Sequence, residues 1–441
     1  MISLAEVQLW GKTIGAIQWD DAKQLGVFEY APEFLRSGIE LSPLKMPLRA
    51  GAYRFPELNY ASFMGLPGML ADVLPDKFGN LLIDQWLIAQ GRDPSSFNPV
   101  ERLLYMGQRG MGALEFAPAA QRFVAPSTEL ELAELVGLAN KALSKKQDLE
   151  TRLSDVSEDK QALQQIIAVG TSAGGARAKA VIAWNEKTGE VRSGQCDLSD
   201  KALYQGFVQY LLKFDGVSGN ADKELADPQG FTRIEYACYL MAVAAGIDMM
   251  PSRLLEENGR AHFMTERFDR TADGKKLHMQ TLCGLAHYDF NVAGGYSYEQ
   301  CFRVIRQLKL NNERQALEQQ FRRMVFNVII RNQDDHTKNI GFLMNRRGEW
   351  SLSPAYDVTY AYNPEGAWTA NHQMTINGKR DAFTFDDLLA CGEAADLRPR
   401  SVRALVAEVR GVVLRWNEFA AEAGIPSTWA QSLASTFRLF E

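Results

Sequence analysis

The chain is poor in the residues that build disulfide frameworks and metal clusters. Its five cysteines, Cys196, Cys238, Cys283, Cys301 and Cys391, are odd in number and widely spread, with no C-x-x-C pair. That usage suits a reducing compartment and points away from a zinc site. The five histidines form no H-x-x-x-H pair. No apolar run reaches the ~18 residues a membrane helix needs. Met1–Lys12 has neither a basic start nor a long apolar core, so no signal peptide is expected. Basic residues are outnumbered by acidic ones, 48 Lys and Arg against 54 Asp and Glu. A net charge of -6 argues against a stand-alone DNA binder, because phosphate contacts need clustered Lys and Arg.

What is present is ordinary for a soluble globular protein, with 46% hydrophobic and 23% charged residues. At 441 residues the chain is too long for one core, and about two or three domains are expected. The first thirty residues hold short apolar runs (Val7 and Leu9; Ile14, Ala16 and Ile17; Val27, Phe28 and Tyr30) punctuated by Gly11, Gly15 and Gly26. They read as several short strands in a β-rich module. Leu74-Pro75-Asp76-Lys77-Phe78-Gly79 reads as a turn, and Leu81–Ile88 after it as an amphipathic helix. Pro126-Ser127-Thr128 then breaks the chain, and Thr128 with Glu131 forms a capping box for a helix to about Leu143. Lys145–Lys160 is so highly charged that it reads as a solvated helix or linker.

The chemistry concentrates in Asn332-Gln333-Asp334-Asp335-His336-Thr337-Lys338-Asn339 and Ser353-Pro354-Ala355-Tyr356-Asp357. Asp334 precedes Asn339 by the interval that separates the base and the metal-binding Asn in protein kinases. Gly341–Met344 and Glu349–Leu352 read as two strands joined by a turn, so Asp357 returns beside Asn339. Mg²⁺ takes few oxygen ligands from protein, and a carboxylate with an amide oxygen suffices. Asn339 and Asp357 suit that role, and Asp334 suits the base that orients and deprotonates a hydroxyl. Taken alone, Asp334-Asp335 would read as a turn after a helix at about Gln320–Arg331.

Nucleotide-binding candidates lie upstream. Val169–Lys179 is rich in small residues, which let backbone N–H groups approach phosphates. It is neither a Walker A loop nor G-x-G-x-x-G, and a plain turn explains it about as well. Phe207–Phe214 reads as a strand carrying Lys213, either a phosphate-holding lysine or an edge-strand lysine facing solvent. In the next helix, Phe231–Ala245, Glu235 is either a partner for Lys213 or a surface residue. Phe263–Phe268 reads as a strand leaving the first lobe.

Asn332–Asn339 with Ser353–Asp357 resembles the HipA family of bacterial serine/threonine kinases, the toxins of HipBA toxin–antitoxin pairs. The resemblance covers nearly the whole chain. Leu74-Pro75-Asp76 resembles a motif of the family's N-terminal subdomain, and Glu266-Arg267-Phe268-Asp269-Arg270 its segment between the lobes. The resemblance implies an α/β (α+β) bilobal kinase-like fold: an N-terminal β-rich subdomain (1–125), a nucleotide-binding lobe (126–268) and a mostly helical C-terminal lobe (269–441). It implies ATP and Mg²⁺ as cofactors, a phosphate loop at Ser172, Ala173, Gly174, Gly175 and Lys179, and autophosphorylation at Ser172. Arg177 and Ala178 depart from the family's Gln and Glu. Lys213 would hold phosphates, Glu266, Arg267 and Phe268 would line the base, and His336 would orient the loop or touch nucleotide. A small DNA-binding HipB-like antitoxin and a protein substrate such as an aminoacyl-tRNA synthetase follow from the same resemblance, while a cytoplasmic location and no membrane contact are expected from the cysteine usage and the lack of a long apolar run. The rival readings are a small-molecule kinase of the same fold and a catalytically silent co-repressor component.

Overall fold

The structure is a computed structural model that describes residues 2–118, 135–137, 139, 177–194, 204–217, 229–271 and 273–440. Most of the helix expected from Thr128, the charged stretch Lys145–Lys160, Cys196 and the small-residue loop through Gly175 lie outside the described residues. The chain divides into two compact units. The first comprises residues 1–39, 48–232 and 253–278, and the second 40–47, 233–252 and 279–441.

The first unit holds two sheets. In β1 (Leu4–Leu9) the side chains alternate, with Ala5, Val7 and Leu9 buried, as period-two patterning requires of a strand with one covered face. Trp10 and Gly11, both at positive φ (51° and 77°), turn β1 directly into β2 (Lys12–Asp20). This is the two-residue geometry whose twist matches that of the flanking strands. With β3 (Leu25–Tyr30), β4 (Ala52–Tyr53) and β5 (Leu114–Ala117) they form a sheet of order β4-β3-β2-β1-β5.

Among the helices of this unit, two start on side-chain caps that the sequence provides. The expected turn at Leu74–Gly79 is in fact a helix start. Asp76 caps α1 (Lys77–Ala89) by accepting from the Gly79 N–H at 2.6 Å, which satisfies an otherwise orphaned donor. A capping box of Asn98 and Glu101, with Pro99 at the first helical position, starts α2 (Pro99–Met106). The second sheet runs β7-β6-β8-β10-β9, from β6 (Lys179–Asn185), β7 (Val191–Ser193), β8 (Phe207–Lys213), β9 (Ser252–Glu257) and β10 (Arg260–Glu266). Strand β8 is flanked on both sides, so the edge-strand reading of Lys213 falls. β10 stops at Glu266, two residues short of the strand end expected from the sequence.

The second unit is largely helical: α3 (Phe231–Ala244, its first two residues assigned to the first unit), α4 (Tyr298–Gln307), α5 (Glu313–Ile330), α6 (Phe385–Ala394) and α7 (Pro399–Val413). Capping boxes at Ser297/Gln300 and Thr384/Asp387 begin α4 and α6. Phe321, Met324, Val325 and Val328 on α5 are fully buried at helical spacing, so this helix is the spine of the unit's core. A three-stranded sheet, β11 (His278–Thr281), β12 (Gly341–Met344) and β13 (Trp350–Leu352), completes the unit. No helix among the described residues is long and apolar enough to cross a membrane.

Candidate functional site

Helix α5 begins earlier than the sequence suggests and ends where Arg331 adopts φ 60°. The left-handed residue turns the chain out of the helix and starts the segment Asn332–Asn339. A short turn, Thr337–Asn339, then brings Asn339 back, and its Nδ2 donates to the Asp334 carbonyl at 2.8 Å. That bond leaves the Asn339 Oδ1 as the atom for a cation. The expected hairpin is present: Phe342 pairs with Leu352 and Met344 with Trp350. It closes through Gly348 at φ 80° and an Asn345 side chain that accepts from the Arg347 and Glu349 N–H groups.

After the hairpin, Tyr356 OH donates to the Lys338 carbonyl at 2.6 Å, and Asn332 Nδ2 donates to the Asp357 carbonyl at 3.2 Å. Asp357 sits at φ 52°. Such a backbone is costly for a residue with a Cβ, although Asp tolerates it better than most. Asn332, Asn339 and Asp357 line one small cavity of about 20 Å³ together with Asp335, His336 and Arg323. A space of that size admits a single water or ion. The Asn332 Oδ1 is buried and has no hydrogen-bond partner among the described residues. An amide oxygen, a carboxylate and an unsatisfied carbonyl-type oxygen around such a space fit a hard divalent cation.

The two adjacent aspartates differ sharply. The Asp334 side chain is 38% exposed, whereas that of Asp335 is 1% exposed. Asp335 Oδ2 accepts from Tyr298 OH at 2.8 Å and meets His372 Nδ1 at 2.9 Å, while its Oδ1 accepts from the Gln373 N–H at 2.8 Å. Burial pushes the Asp335 carboxyl up, but the His372 imidazole and these donors hold it below the ordinary carboxylate range. Burial and the facing carboxylate push the Tyr298 phenol well above its usual value. Neither Asp335 nor His372 showed a partner in the sequence, because 37 residues separate them. Asp334, in contrast, accepts one side-chain bond, from Trp368 Nε1–H at 2.6 Å. His336 Nε2 lies 3.8 Å from Asp334 Oδ1, with the Phe290 and Trp368 rings at 5.6 and 6.4 Å.

Arg323 on α5 was not singled out from the sequence. It is buried and donates to the Ser353 carbonyl at 2.7 Å, anchoring the approach to Asp357. Burial lowers its guanidinium to about 10.

In the first unit, Lys179 on β6 and Lys213 on β8 stand directly opposite one another, and both are buried. Like charges across a strand pair repel. The Asp76 carboxylate lies 3.2 Å from the Lys179 ammonium, and both side chains of that pair are 2% exposed. Leu74-Pro75-Asp76 therefore caps a helix and neutralises a sheet lysine with one carboxylate. Of the expected phosphate loop only Lys179 lies within the described residues. Arg177, just before it, lies over the Phe231 ring at 5.6 Å.

Glu266 accepts from Tyr210 OH at 3.2 Å. Arg267 is buried with its guanidinium committed to Asp269, through Nε–H to Oδ1 at 2.9 Å and Nη2–H to Oδ2 at 2.7 Å. Arg267 also donates its backbone N–H to the Gln209 carbonyl. Asp269 takes further bonds from Arg270 and from the Gly112 N–H. Burial raises its carboxyl, but the two arginines overcome this and hold it well below the usual range. Phe268 is half-buried. Glu235 is buried on α3, which removes its reading as a surface residue.

Comparisons with known proteins converge on one family. Residues 171–416 match the family model of the HipA-like C-terminal domain, and residues 5–117 that of the HipA N-terminal domain. HipA of Shewanella oneidensis MR-1, solved with HipB and its operator DNA, is structurally similar with a TM-score of 0.62. At 17% identity, that likeness covers 98% of this chain and 94% of the other. Two curated relatives from Sinorhizobium fredii, "Putative kinase Y4mE" and "Putative kinase Y4dM", are each 28% identical. They match over 36% and 43% of this chain and over 42% and 49% of their own lengths. The chain thus spans less than half the length of the curated relatives it matches.

Proposed function

Since this chain belongs to the HipA family, we propose that it is an ATP- and Mg²⁺-dependent serine/threonine kinase, the toxin of a type II toxin–antitoxin pair. The observation that carries the reading is the half-exposed Asp334 beside a small cavity lined by Asn339 and Asp357. In this reading residues 1–125, 126–268 and 269–441 are the N-terminal, nucleotide-binding and catalytic divisions.

Asn339 and Asp357 hold Mg²⁺. Bound there, the metal would offset phosphate charge. Lys213 and Lys179 attract the phosphates, and the loop through Ser172, Ala173, Gly174 and Gly175 covers them. Glu266, Arg267 and Phe268 line the base. Arg267 contributes through its backbone carbonyl, because its guanidinium is engaged by Asp269 and its N–H by the Gln209 carbonyl. His336 borders the nucleotide. Asp334 accepts the proton of the acceptor hydroxyl. Ser172 is the autophosphorylated residue, and a phosphate there places negative charge in a loop built for phosphates.

The partner is a HipB-like DNA-binding antitoxin, and the acidic chain reaches DNA through it. The protein substrate is a cellular protein, an aminoacyl-tRNA synthetase by analogy, and a cytoplasmic location goes with that reading.

The test is mass spectrometry of the full chain after incubation with Mg²⁺ and ATP, beside Asp334→Ala. The expected result is phosphate on Ser172 in the parent and a loss of roughly 10²–10⁴ in rate in the variant. Nucleotide binding without phosphate on any protein residue would overturn the protein-kinase reading in favour of a small-molecule kinase or a silent co-repressor.

A further inference from the structure

The segment after Asp357 returns to both members of the aspartate pair. Trp368 Nε1–H donates to Asp334 Oδ1 at 2.6 Å. His372 and the Gln373 N–H engage Asp335. Gln373 Nε2 also lies within hydrogen-bond distance of the carbonyls of Gln333, Trp368 and Asn371, joining the residue before the aspartates to the bend that carries the indole. The Gln333 side chain answers by donating to the Ala370 carbonyl at 3.2 Å. The buried carboxylate of Asp335 therefore holds residues 368–373 against the catalytic segment, and that segment sets where the Trp368 N–H points.

A half-exposed carboxylate left to itself rotates about its terminal bond and presents either oxygen. A fixed N–H donor at one oxygen ends that freedom through a charge-assisted bond. General-base catalysis depends on an acceptor atom held within hydrogen-bond reach of the proton it takes, and pre-setting that geometry lowers the barrier.

We propose that Trp368 is a positioning residue for Asp334: its indole N–H anchors Oδ1 and leaves Oδ2 to the acceptor hydroxyl. The inference rests on the kinase reading above. In the step it serves, the hydroxyl oxygen bonds to the γ-phosphorus and its proton passes to Asp334 Oδ2. The bond from phosphorus to the bridging oxygen breaks, and ADP leaves with the electron pair. Trp368 exchanges no proton.

The experiment compares the parent, Trp368→Phe, Asp334→Ala and the double variant as full chains with Mg²⁺ and ATP, reading phosphate incorporation by mass. Phe keeps a ring and removes the donor, and thermal midpoints check that each variant folds. Expected is a fall in kcat of roughly tenfold for Trp368→Phe, with KM for ATP unchanged. Added to Asp334→Ala, the same substitution causes no further loss. The Trp368 indole N–H resonance, identified by its absence in Trp368→Phe, shifts in Asp334→Ala. A Trp368→Phe rate equal to or above the parent's, or an equal loss in both backgrounds, overturns the inference and leaves the kinase reading standing. A parent that incorporates no phosphate overturns both.

Discussion

Asp269 and Asp335 are both buried carboxylates, and they are satisfied in opposite ways. Asp269, in the first unit, lies between two guanidinium groups and a backbone N–H. Asp335, in the second, is held by a phenol, an imidazole and a backbone N–H. Guanidinium carries a permanent charge and presents fixed forked donors, so it makes a strong clip wherever added positive charge does no harm. Asp335 adjoins the groups proposed to hold Mg²⁺. There a phenol, an imidazole and a backbone N–H satisfy the carboxylate, and none of them carries the permanent charge of a guanidinium. The first arrangement locks the segment after β10, and the second shapes a site.

Three measurements break or sharpen that contrast. The largest effect is expected from Asp269→Ala, which strands the buried Arg267 guanidinium and removes the carboxylate partner of Arg270. Breaking a buried ion pair by removing one partner costs about 3–5 kcal/mol, read as a lower urea midpoint. A loss equal to that of a surface substitution would dissolve the comparison. Asp335→Asn retains volume and part of the hydrogen bonding, and is expected to cost about 1–3 kcal/mol. Because residues 368–373 are held by Asp335, phosphate transfer should fall with it while Asp269→Ala at permissive temperature spares the Asp334 contacts. Equal transfer losses in the two variants would remove the distinction.

The smallest effect concerns pH. His262 in the first unit is buried and accepts from the Asp215 N–H through Nδ1, and burial lowers it from 6.5 to about 4. In that interval the unfolded chain binds a proton that the folded chain does not, so stability falls as pH drops from 6.5 towards about 4. His262→Gln keeps an acceptor and should flatten that part of the urea midpoint profile. The depressed carboxyls of Asp269 and Asp335 act lower down, because their contribution is lost only as pH falls below the ordinary carboxylate range. A profile unchanged by His262→Gln would place the acid sensitivity elsewhere.

Much of the second unit could be read in advance where the determinants are local. The hairpin between Gly341 and Leu352 follows from two short apolar-rich runs around an Asn-x-x-Gly turn, and the Asp334–Asn339 interval from one helix end and one tight turn. The start of α1 at Lys77 was missed because Pro and Gly read as a turn, although an Asp three residues before a Gly N–H is also a cap. Arg267 was expected at the base through family resemblance. Two residues further on stood the carboxylate that takes its guanidinium, and only burial decided that pairing.

By itself, the sequence determined the family, the mixed α/β character, the chemistry-bearing segment and the order of its groups, because these rest on residue identity and on spacings of a few residues. Tertiary structure alone decided which of two adjacent aspartates is exposed, that Asp76 answers Lys179 and that Trp368 reaches Asp334. Those pairings join residues tens to a hundred positions apart. No local preference encodes them, and they form only when packing removes water from one partner and brings the other within hydrogen-bond range.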